Sequence, residues 1–466
     1  MATGAPVSPG HETSSRAPRF RGPLAQLVVL LRGLRHLHPA KLVFLGYLSY
    51  VLVGWAVLCL PSAQKGPGVS PLDNIFVATS ALSTTGLATV SVSDSYNWFG
   101  QTVVMILIQL GGVGYMTLGS FLILARKTEL SPVRTAIGQT VFSLPASFHL
   151  GEFIQGVIYF TLAIEAAGAA ALYFVFRAAG VETPLWSAVF HSVSAFCTAG
   201  FGLYNDNFER FAGNFWLNAI IAALSYLGAM GFIVCLDVYR VVRGKSAGMT
   251  LTSKIILTAT LWMAVIGTGL LFIDEPSIRD LSPENRLLAA FFQCMSAMTT
   301  VGFNSISIAG LSKASVLLLV VLMVIGSSPS GTGGGVKVTT ISAMMGVMRS
   351  AIRGEKEVRF WDRAIPYERV TLAFASLGFY LTAFVIGVYL LELTESTPFD
   401  KNLFEVASAL GTVGLSMGIT ATLSVLGKVI ITLMMFCGRV GPLTLGSAIL
   451  GRVLSRPAVQ DRDIAI

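Results

Sequence analysis

The sequence is poor in charge. Only 12% of its 466 residues are Asp, Glu, Lys or Arg, against 54% hydrophobic. An ordinary soluble domain carries roughly twice that charge. The apolar residues do not make one large core. They come as runs of about 20, the length that crosses a bilayer. Cysteine is also scarce: Cys59, Cys197, Cys235, Cys294 and Cys437 lie in apolar segments without paired spacing. They read as packing residues, neither disulfides nor metal ligands. No N-x-S/T sequon occurs, which argues weakly against a glycosylated exterior. No cluster of His, Asp and Glu suggests a metal centre or a catalytic triad, so the chain is not expected to be an enzyme. No cleavable signal peptide is expected, because the apolar stretch after Arg21 is short and Arg32 and Arg35 interrupt it. Phe20, Leu24, Leu27, Val28 and Leu31 can instead form one face of a helix lying on the inner surface.

The charge that is present is patterned. The net charge is +8, and its distribution points to the positive-inside rule, with membrane lipid and not nucleic acid as the surrounding partner. Basic residues gather in alternate connections: Arg16 to Lys41, then Arg126, Lys127 and Arg134, then Arg240, Arg243 and Lys245. Arg349 to Arg363 and Arg452 to Arg462 complete the set. The connections between them carry Asp73, Asp94, Asp206, Glu209, Asp274, Glu275, Asp280, Glu284, Glu392, Glu395 and Asp400. This places both termini in the cytoplasm and the acidic connections outside, in a multi-pass protein of the cytoplasmic (inner) membrane.

What the sequence has in abundance is internal repetition. Four segments share the pattern F-x-x-x-S-A-x-x-T-x-G-[LF]. They run from Phe76 to Leu87, Phe190 to Phe201, Phe292 to Phe303 and Phe404 to Leu415. A long apolar span precedes each: Leu42–Leu60, Phe153–Phe176, Ile255–Phe272 and Val370–Leu391. A short apolar helix of about 10–15 residues leads into the motif, too short to cross. A second span follows: Thr102–Leu124, Asn218–Val238, Val316–Met348 and Leu426–Ile449. The unit is therefore span, pore helix, loop, span. The expected fold is an all-α polytopic membrane protein of about eight transmembrane helices around one pore. The repeats cover residues 39–126, 151–243, 254–350 and 368–452, between a cytosolic segment 1–38 and a cytosolic tail 453–466.

A dehydrated cation needs oxygens in place of its water, and backbone carbonyls supply them when the chain turns them toward one axis. Such turns need dihedrals that glycine tolerates. Gly86, Gly200, Gly302 and Gly414, each with its preceding residue Thr85, Ala199, Val301 or Val413, are the expected ion-binding ring. Thr84, Thr198, Thr300 and Thr412 can add hydroxyl oxygens. The half-helices would aim their negative C-terminal ends at the ion. Asp73, Asp94, Asp206 and Glu405 can raise the local cation concentration or be solvated loop charges. The pairs Gly111 with Gly114, Gly228 with Gly231, and Gly438 with Gly441 lie within second spans and read as helix packing.

The third unit departs from the others. Ser327-Ser328-Pro329-Ser330-Gly331-Thr332-Gly333-Gly334-Gly335 interrupts its second span, where proline costs about 3 kcal/mol and each glycine up to about 1. The apolar pieces Leu317–Ile325 and Val336–Met348 are each too short to cross alone, and an extra crossing would put the basic run from Arg349 outside. Irregular backbone is tolerated within a membrane where it lines a cavity. The loop is therefore expected beneath the filter as a gate, through Gly331, Gly333, Gly334 and Gly335. It is no phosphate loop, since no G-K-[ST] follows. Arg439 lies inside the last span. It is either tied to carbonyls for packing or forms a cationic constriction that works with the loop. Glu165, inside the second unit's first span, is assigned no role.

These residues resemble the membrane subunits of the Trk/Ktr/HKT superfamily of potassium transporters, from about Pro39 to Arg452. The four filter loops, Ile108-Gln109-Leu110-Gly111-Gly112, Gly331–Lys337 and Gly438-Arg439-Val440-Gly441-Pro442 carry the resemblance. About eight spans, without an extra N-terminal pair, look like the KtrB branch. The resemblance implies a homodimer with one pore per subunit and a cytosolic, nucleotide-binding regulatory ring, KtrA-like. It implies potassium as substrate at the filter carbonyls, with no covalent cofactor. It matches the family's filter glycines to Gly86, Gly200, Gly302 and Gly414, its gate to Gly331–Gly335 and its gate arginine to Arg439. Sodium-transporting relatives often have serine at the first filter glycine, so Gly86 favours potassium. Cys197 and Gly411 occupy variable filter positions. A sodium-selective or poorly selective pore is the alternative on this architecture. A coupled secondary transporter would need oppositely oriented repeats, whereas all four units here share one order.

Overall fold

A computed structural model describes residues 39–114 and 150–441, apart from Pro67, Lys245, Ala247, Lys356 and Asp362. The surface helix expected near Leu24, the basic run Arg126 to Arg134, the far ends of the first and fourth second spans, and the C-terminal tail lie outside the described residues.

Among the described residues four single helices are long and apolar enough to cross a membrane, and each opens one repeat. They are α1 (Pro39–Leu58), α4 (Leu150–Ala178), α8 (Leu251–Asp274) and α12 (Tyr367–Thr394). Trp262, Val265 and Ile266 on α8, and Val385, Tyr389 and Leu393 on α12, are exposed. Such outward apolar faces need lipid as their neighbour.

A half-helix follows each of the four: α2 (Pro71–Ser83), α5 (Pro184–Phe196), α9 (Pro283–Thr299) and α13 (Phe399–Gly411). Three begin with proline at the first helical position, which lacks an N–H that the helix start would leave unpaired anyway. Three have 13 residues, and α9 has 17, longer than the expected range. These are the most buried helices among the described residues, with Phe76, Phe190, Phe292 and Phe404 fully enclosed. The motif phenylalanine is thus a core residue at the centre of each repeat.

The second helices start on capping side chains. Asn97, Asn214, Ser312 and Ser424 accept the first free N–H groups of α3 (Trp98–Val113), α6 (Phe215–Ala229), α10 (Lys313–Ile325) and α14 (Val425–Val440). Each helix then stops at or just before a glycine with positive φ: Gly114 at 87°, Gly231 at 86°, Gly326 at 54° and Gly441 at 88°. This corrects the reading of one broken span. The second repeat is broken as well, with α7 (Phe232–Val242) leaving α6 at 96°. In the third repeat the chain resumes as α11 (Val338–Arg353) and reaches α12 through a small hairpin of β1 (Arg359–Phe360) and β2 (Arg363–Ala364).

The G-x-x-G pairs divide their labour. A side chain on Gly111, Gly228 or Gly438 would strike the carbonyl of Leu82, Phe196 or Leu410 at the end of a half-helix. These three glycines therefore serve close packing. Gly114, Gly231 and Gly441 instead end their helices, because only glycine enters such dihedrals without strain. One apolar cluster joins repeats one and two, a second joins the third repeat to loop four, and a third joins the fourth repeat to Phe76 and Leu87 of the first.

Candidate functional site

All four half-helices end the same way. The backbone N–H of Thr84 donates to Ala81 O at 3.1 Å, and that of Thr85 to Ser80 O at 2.8 Å. Thr198 and Ala199, Thr300 and Val301, and Thr412 and Val413 repeat the pair on their own Ala and Ser carbonyls. This is the Schellman ending, with a left-handed residue just past the helix. Here that residue is threonine, with φ of 54°, 51°, 59° and 50° in chain order. A β-branched residue rarely adopts this conformation, and the strain is about 1–3 kcal/mol at each.

Two residues beyond each threonine stands the loop glycine, with φ of 94°, 64°, 80° and 99° at Gly86, Gly200, Gly302 and Gly414. A Cβ on Gly86 would lie under 3.0 Å from Ala199 O, one on Gly200 the same from Val301 O, and one on Gly302 the same from Val413 O. One on Gly414 would meet Thr85 O and close the circle. The loops therefore stand in the order one, two, three, four around a ring. The carbonyls of Thr85, Ala199, Val301 and Val413 form one layer of it. Those four residues are fully buried. The eight ring residues named from the sequence come together in one place.

On one side the ring opens into a vestibule of about 550 Å³, lined by Gly86, Gly200 and Gly414 with Asp206, Glu209, Asn205, Asn304 and Ser307 among others. Asp94 accepts from Asn205 Nδ2 at 2.7 Å at its edge. Hydrogen bonds from Arg210 hold the Asp206 carboxyl below the usual carboxylate range. Two of the acids expected here are elsewhere. Asp73 is paired with Lys428 at 2.7 Å. Glu405 is wholly buried and accepts hydrogen bonds from the Ser416 and Thr420 hydroxyls. Neither stands as a free steering charge.

On the other side the loop between α10 and α11 closes against the four threonines. Thr84 Oγ1 lies 3.3 Å from Thr332 O, and Thr198 Oγ1 lies 3.1 Å from Thr332 Oγ1. Gly334 N–H donates to Thr300 Oγ1 at 3.3 Å, and a Cβ on Gly334 would strike Thr412 Oγ1. The break in the second repeat explains how the loop is fastened. Ending α6 frees the carbonyls of Gly228 and Ala229, which accept the N–H groups of Thr332 at 3.1 Å and Ser328 at 3.2 Å. Gly331 and Gly335 lie further back, against Ala229 and Gly326.

Two cations reach the same loop. Arg439 Nη1 donates to Thr332 O and, at 3.1 Å, to Thr84 Oγ1, while Nη2 donates to Gly111 O. The arginine is tied to carbonyls, and one of them belongs to the loop beneath the ring. Lys337 Nζ donates to Gly333 O at 2.8 Å. Thr332 and Lys337 were not singled out in the sequence. In the sequence Thr332 is one polar residue in a glycine run, and nothing short of the fold places it under the ring. Glu165 faces the Cys197 thiol, with Oε1 3.7 Å from Sγ.

The profile of the TrkH family, described as cation transport proteins, matches residues 57–455. The chain is 34% identical to Ktr system potassium uptake protein B of Vibrio alginolyticus, over 87% of this chain and 90% of that one. It is 32% identical to the potassium/sodium uptake protein NtpJ of Enterococcus hirae, over 89% and 94%. Its fold matches the crystal structure of the potassium transporter TrkH from Vibrio parahaemolyticus with a TM-score of 0.68 and 21% identity, over 87% and 84% of the two chains. A mostly helical chain with several apolar spans and four loops closed into a ring, it is an integral membrane protein that belongs to the TrkH family of cation transport proteins.

Proposed function

We propose that the chain carries potassium into the cell through the ring of four loops. The observation that carries this reading is the closed layer of the Thr85, Ala199, Val301 and Val413 carbonyls, each against a positive-φ glycine of the neighbouring loop. Such a layer replaces the water of a dehydrated cation. Thr84, Thr198, Thr300 and Thr412 supply the next oxygens, and the vestibule with Asp206 and Glu209 collects cations ahead of it. The relatives named for potassium uptake support potassium as the substrate.

The loop at Gly331, Thr332, Gly333, Gly334 and Gly335 is the gate, latched by Arg439. It fills the path beneath the ring and must move for an ion to leave. The chain lies in the cytoplasmic membrane with both termini inside, as the alternation of basic and acidic connections supports. A Ktr system named for its relatives has more than one component, in keeping with a homodimer and a cytosolic nucleotide-binding ring subunit that shifts the gate population. Sodium as a second substrate has one specific support, the relative named for potassium/sodium uptake.

The test is ion flux with potassium against sodium in proteoliposomes of set potential. A potential of 100 mV is worth about 2.3 kcal/mol per charge. Potassium should accumulate roughly fifty-fold for each such step and stop when an ionophore collapses the potential. Equal flux of the two ions, or uphill uptake at zero potential without a coupling gradient, would overturn the reading.

A further inference from the structure

The residue after the motif phenylalanine changes from repeat to repeat: Val77, His191, Gln293 and Glu405. The last three are polar, and all three are fully buried. A buried polar side chain costs free energy unless it is bonded. His191 is bonded at both ring nitrogens. Nδ1 lies 2.7 Å from Ser187 O, and the backbone N–H of Leu203 donates to Nε2 at 3.2 Å. These partners assign the tautomer. A backbone N–H can be accepted only by a bare nitrogen, so Nε2 is unprotonated and the hydrogen sits on Nδ1, given to the carbonyl. The imidazole is neutral and works as an acceptor.

Leu203 lies three residues past Gly200, on the vestibule limb of loop two. Carbonyls turned toward an axis leave the N–H groups of a loop pointing back into the protein, where each needs an acceptor. In loops one and four the motif serine meets the need: Gly86 N–H donates to Ser80 Oγ at 3.1 Å and Gly414 N–H to Ser408 Oγ at 3.0 Å. In loop two the Ser194 hydroxyl has no partner among the described residues, and the bond from Leu203 to His191 holds the loop from its other limb. The ring itself cannot shift. Tyr204 stacks on it at 4.9 Å and 14°, and Phe176 of α4, Phe208 and Phe303 surround it. Phe303 directly follows Gly302, so the same box touches loop three. Glu405, at the matching place in the fourth repeat, likewise holds the vestibule limb of its own loop through Ser416.

We propose that His191 is a positioning residue of the filter: a neutral acceptor that fixes the vestibule limb of loop two and thereby sets the Ala199–Gly200 backbone for the dehydrated ion. This rests on the filter reading above. The experiment is potassium and sodium flux by the full chain in proteoliposomes, with surface abundance and elution profile measured beside it. His191→Phe keeps the ring volume and the aromatic box but offers no acceptor. His191→Gln restores a carbonyl oxygen at the same place. In His191→Phe the potassium KM should rise, and the preference over sodium should fall, by about tenfold, the scale of one buried hydrogen bond lost. The maximal rate should stay near the parent's, and His191→Gln should remain within about twofold of the parent in all three. Parental KM and selectivity in His191→Phe, or equal damage in both variants, overturns the proposal. Should His191→Phe not accumulate, His191→Leu replaces it in the same comparison. Gly200→Ser separates the two levels. If it leaves selectivity unchanged, the filter reading itself fails; if it lowers selectivity while His191→Phe does not, only the role of His191 fails.

Discussion

Lys428 Nζ and Asp73 Oδ1 meet at 2.7 Å, with side-chain exposures of 16% and 15%. Lys428 lies near the start of the last repeat's second helix and Asp73 in the first turn of the first half-helix. The pair therefore crosses the seam where repeat four meets repeat one and the ring closes. Loops one and four meet across more than three hundred residues of sequence, and this ion pair fastens them beside the shared cluster of Phe76, Leu87 and Met435.

Breaking that pair should loosen the seam. Lys428→Ala or Asp73→Asn leaves one mostly buried charge without its partner, at a cost of about 1–3 kcal/mol. The midpoint of thermal unfolding in detergent should fall in each. The exchanged pair, Asp73→Lys with Lys428→Asp, should recover part of the loss. Equal midpoints in parent and single variants would show that the apolar cluster closes the seam alone.

The filter glycines should not tolerate alanine. At Gly302 the φ is 80°, and a Cβ would stand under 3.0 Å from Val413 O. Strain of about 1–3 kcal/mol and displacement of a ring carbonyl follow. Gly302→Ala should raise the potassium KM by roughly ten- to a hundredfold, read from uptake at graded potassium with expression controlled.

The gate should open when its latch is cut. Arg439→Ala removes the donors to Thr332 O, Thr84 Oγ1 and Gly111 O. Thr332→Ala removes the hydroxyl bonds to Phe196 O and Thr198. Each should raise basal flux several-fold in the absence of any cytosolic partner, as should deletion of Gly331–Gly335. The double change Arg439→Ala with Thr332→Ala should fall short of the sum of the two effects in free energy, because both act on one contact network. Well-folded variants that conduct no faster than the parent would leave the loop purely structural.

The vestibule aspartates should lose their charge only well below neutrality. Hydrogen bonds from Arg210 hold Asp206 below the usual carboxylate range, and one from Asn205 does the same for Asp94. A carboxyl shifted down keeps its charge above the ordinary value and loses it only as pH falls through the lowered one. The contribution of these two carboxylates to the potassium KM should therefore be constant from pH 8 to about 5, since free Asp titrates near 3.9. Arg210→Ala should move the acid-side rise in KM to higher pH, read from initial uptake rates.

The four-fold repeat was legible because each copy must solve the same local problem. A half-helix must end, turn its carbonyls inward and return, and the Ser, Ala, Thr and Gly of the motif are the residues that accept the ending bonds and adopt the turn. The ring residues from Thr84 to Gly414 follow from that alone. The break in the third repeat was legible for a similar reason, since a Pro and four glycines cannot continue a helix.

The break after α6 was not legible. Met230-Gly231 sits in an apolar run with nothing to stop a helix except glycine, and what meets the break is a partner about a hundred residues away: the loop between α10 and α11, whose N–H groups take the Gly228 and Ala229 carbonyls. The same distance hid Thr332, whose hydroxyl has meaning only under Thr198, and the tautomer of His191, which depends on where the backbone of Leu203 arrives. It also misled the reading of Asp73 and Glu405, whose charges look outward in the sequence but are taken up by Lys428, Ser416 and Thr420. Local sequence determines conformations whose cost is local, such as caps, turns and helix ends. Which hydrogen-bond donor meets which acceptor across a ring of four repeats is a matter of three-dimensional proximity, and only the tertiary structure decided it.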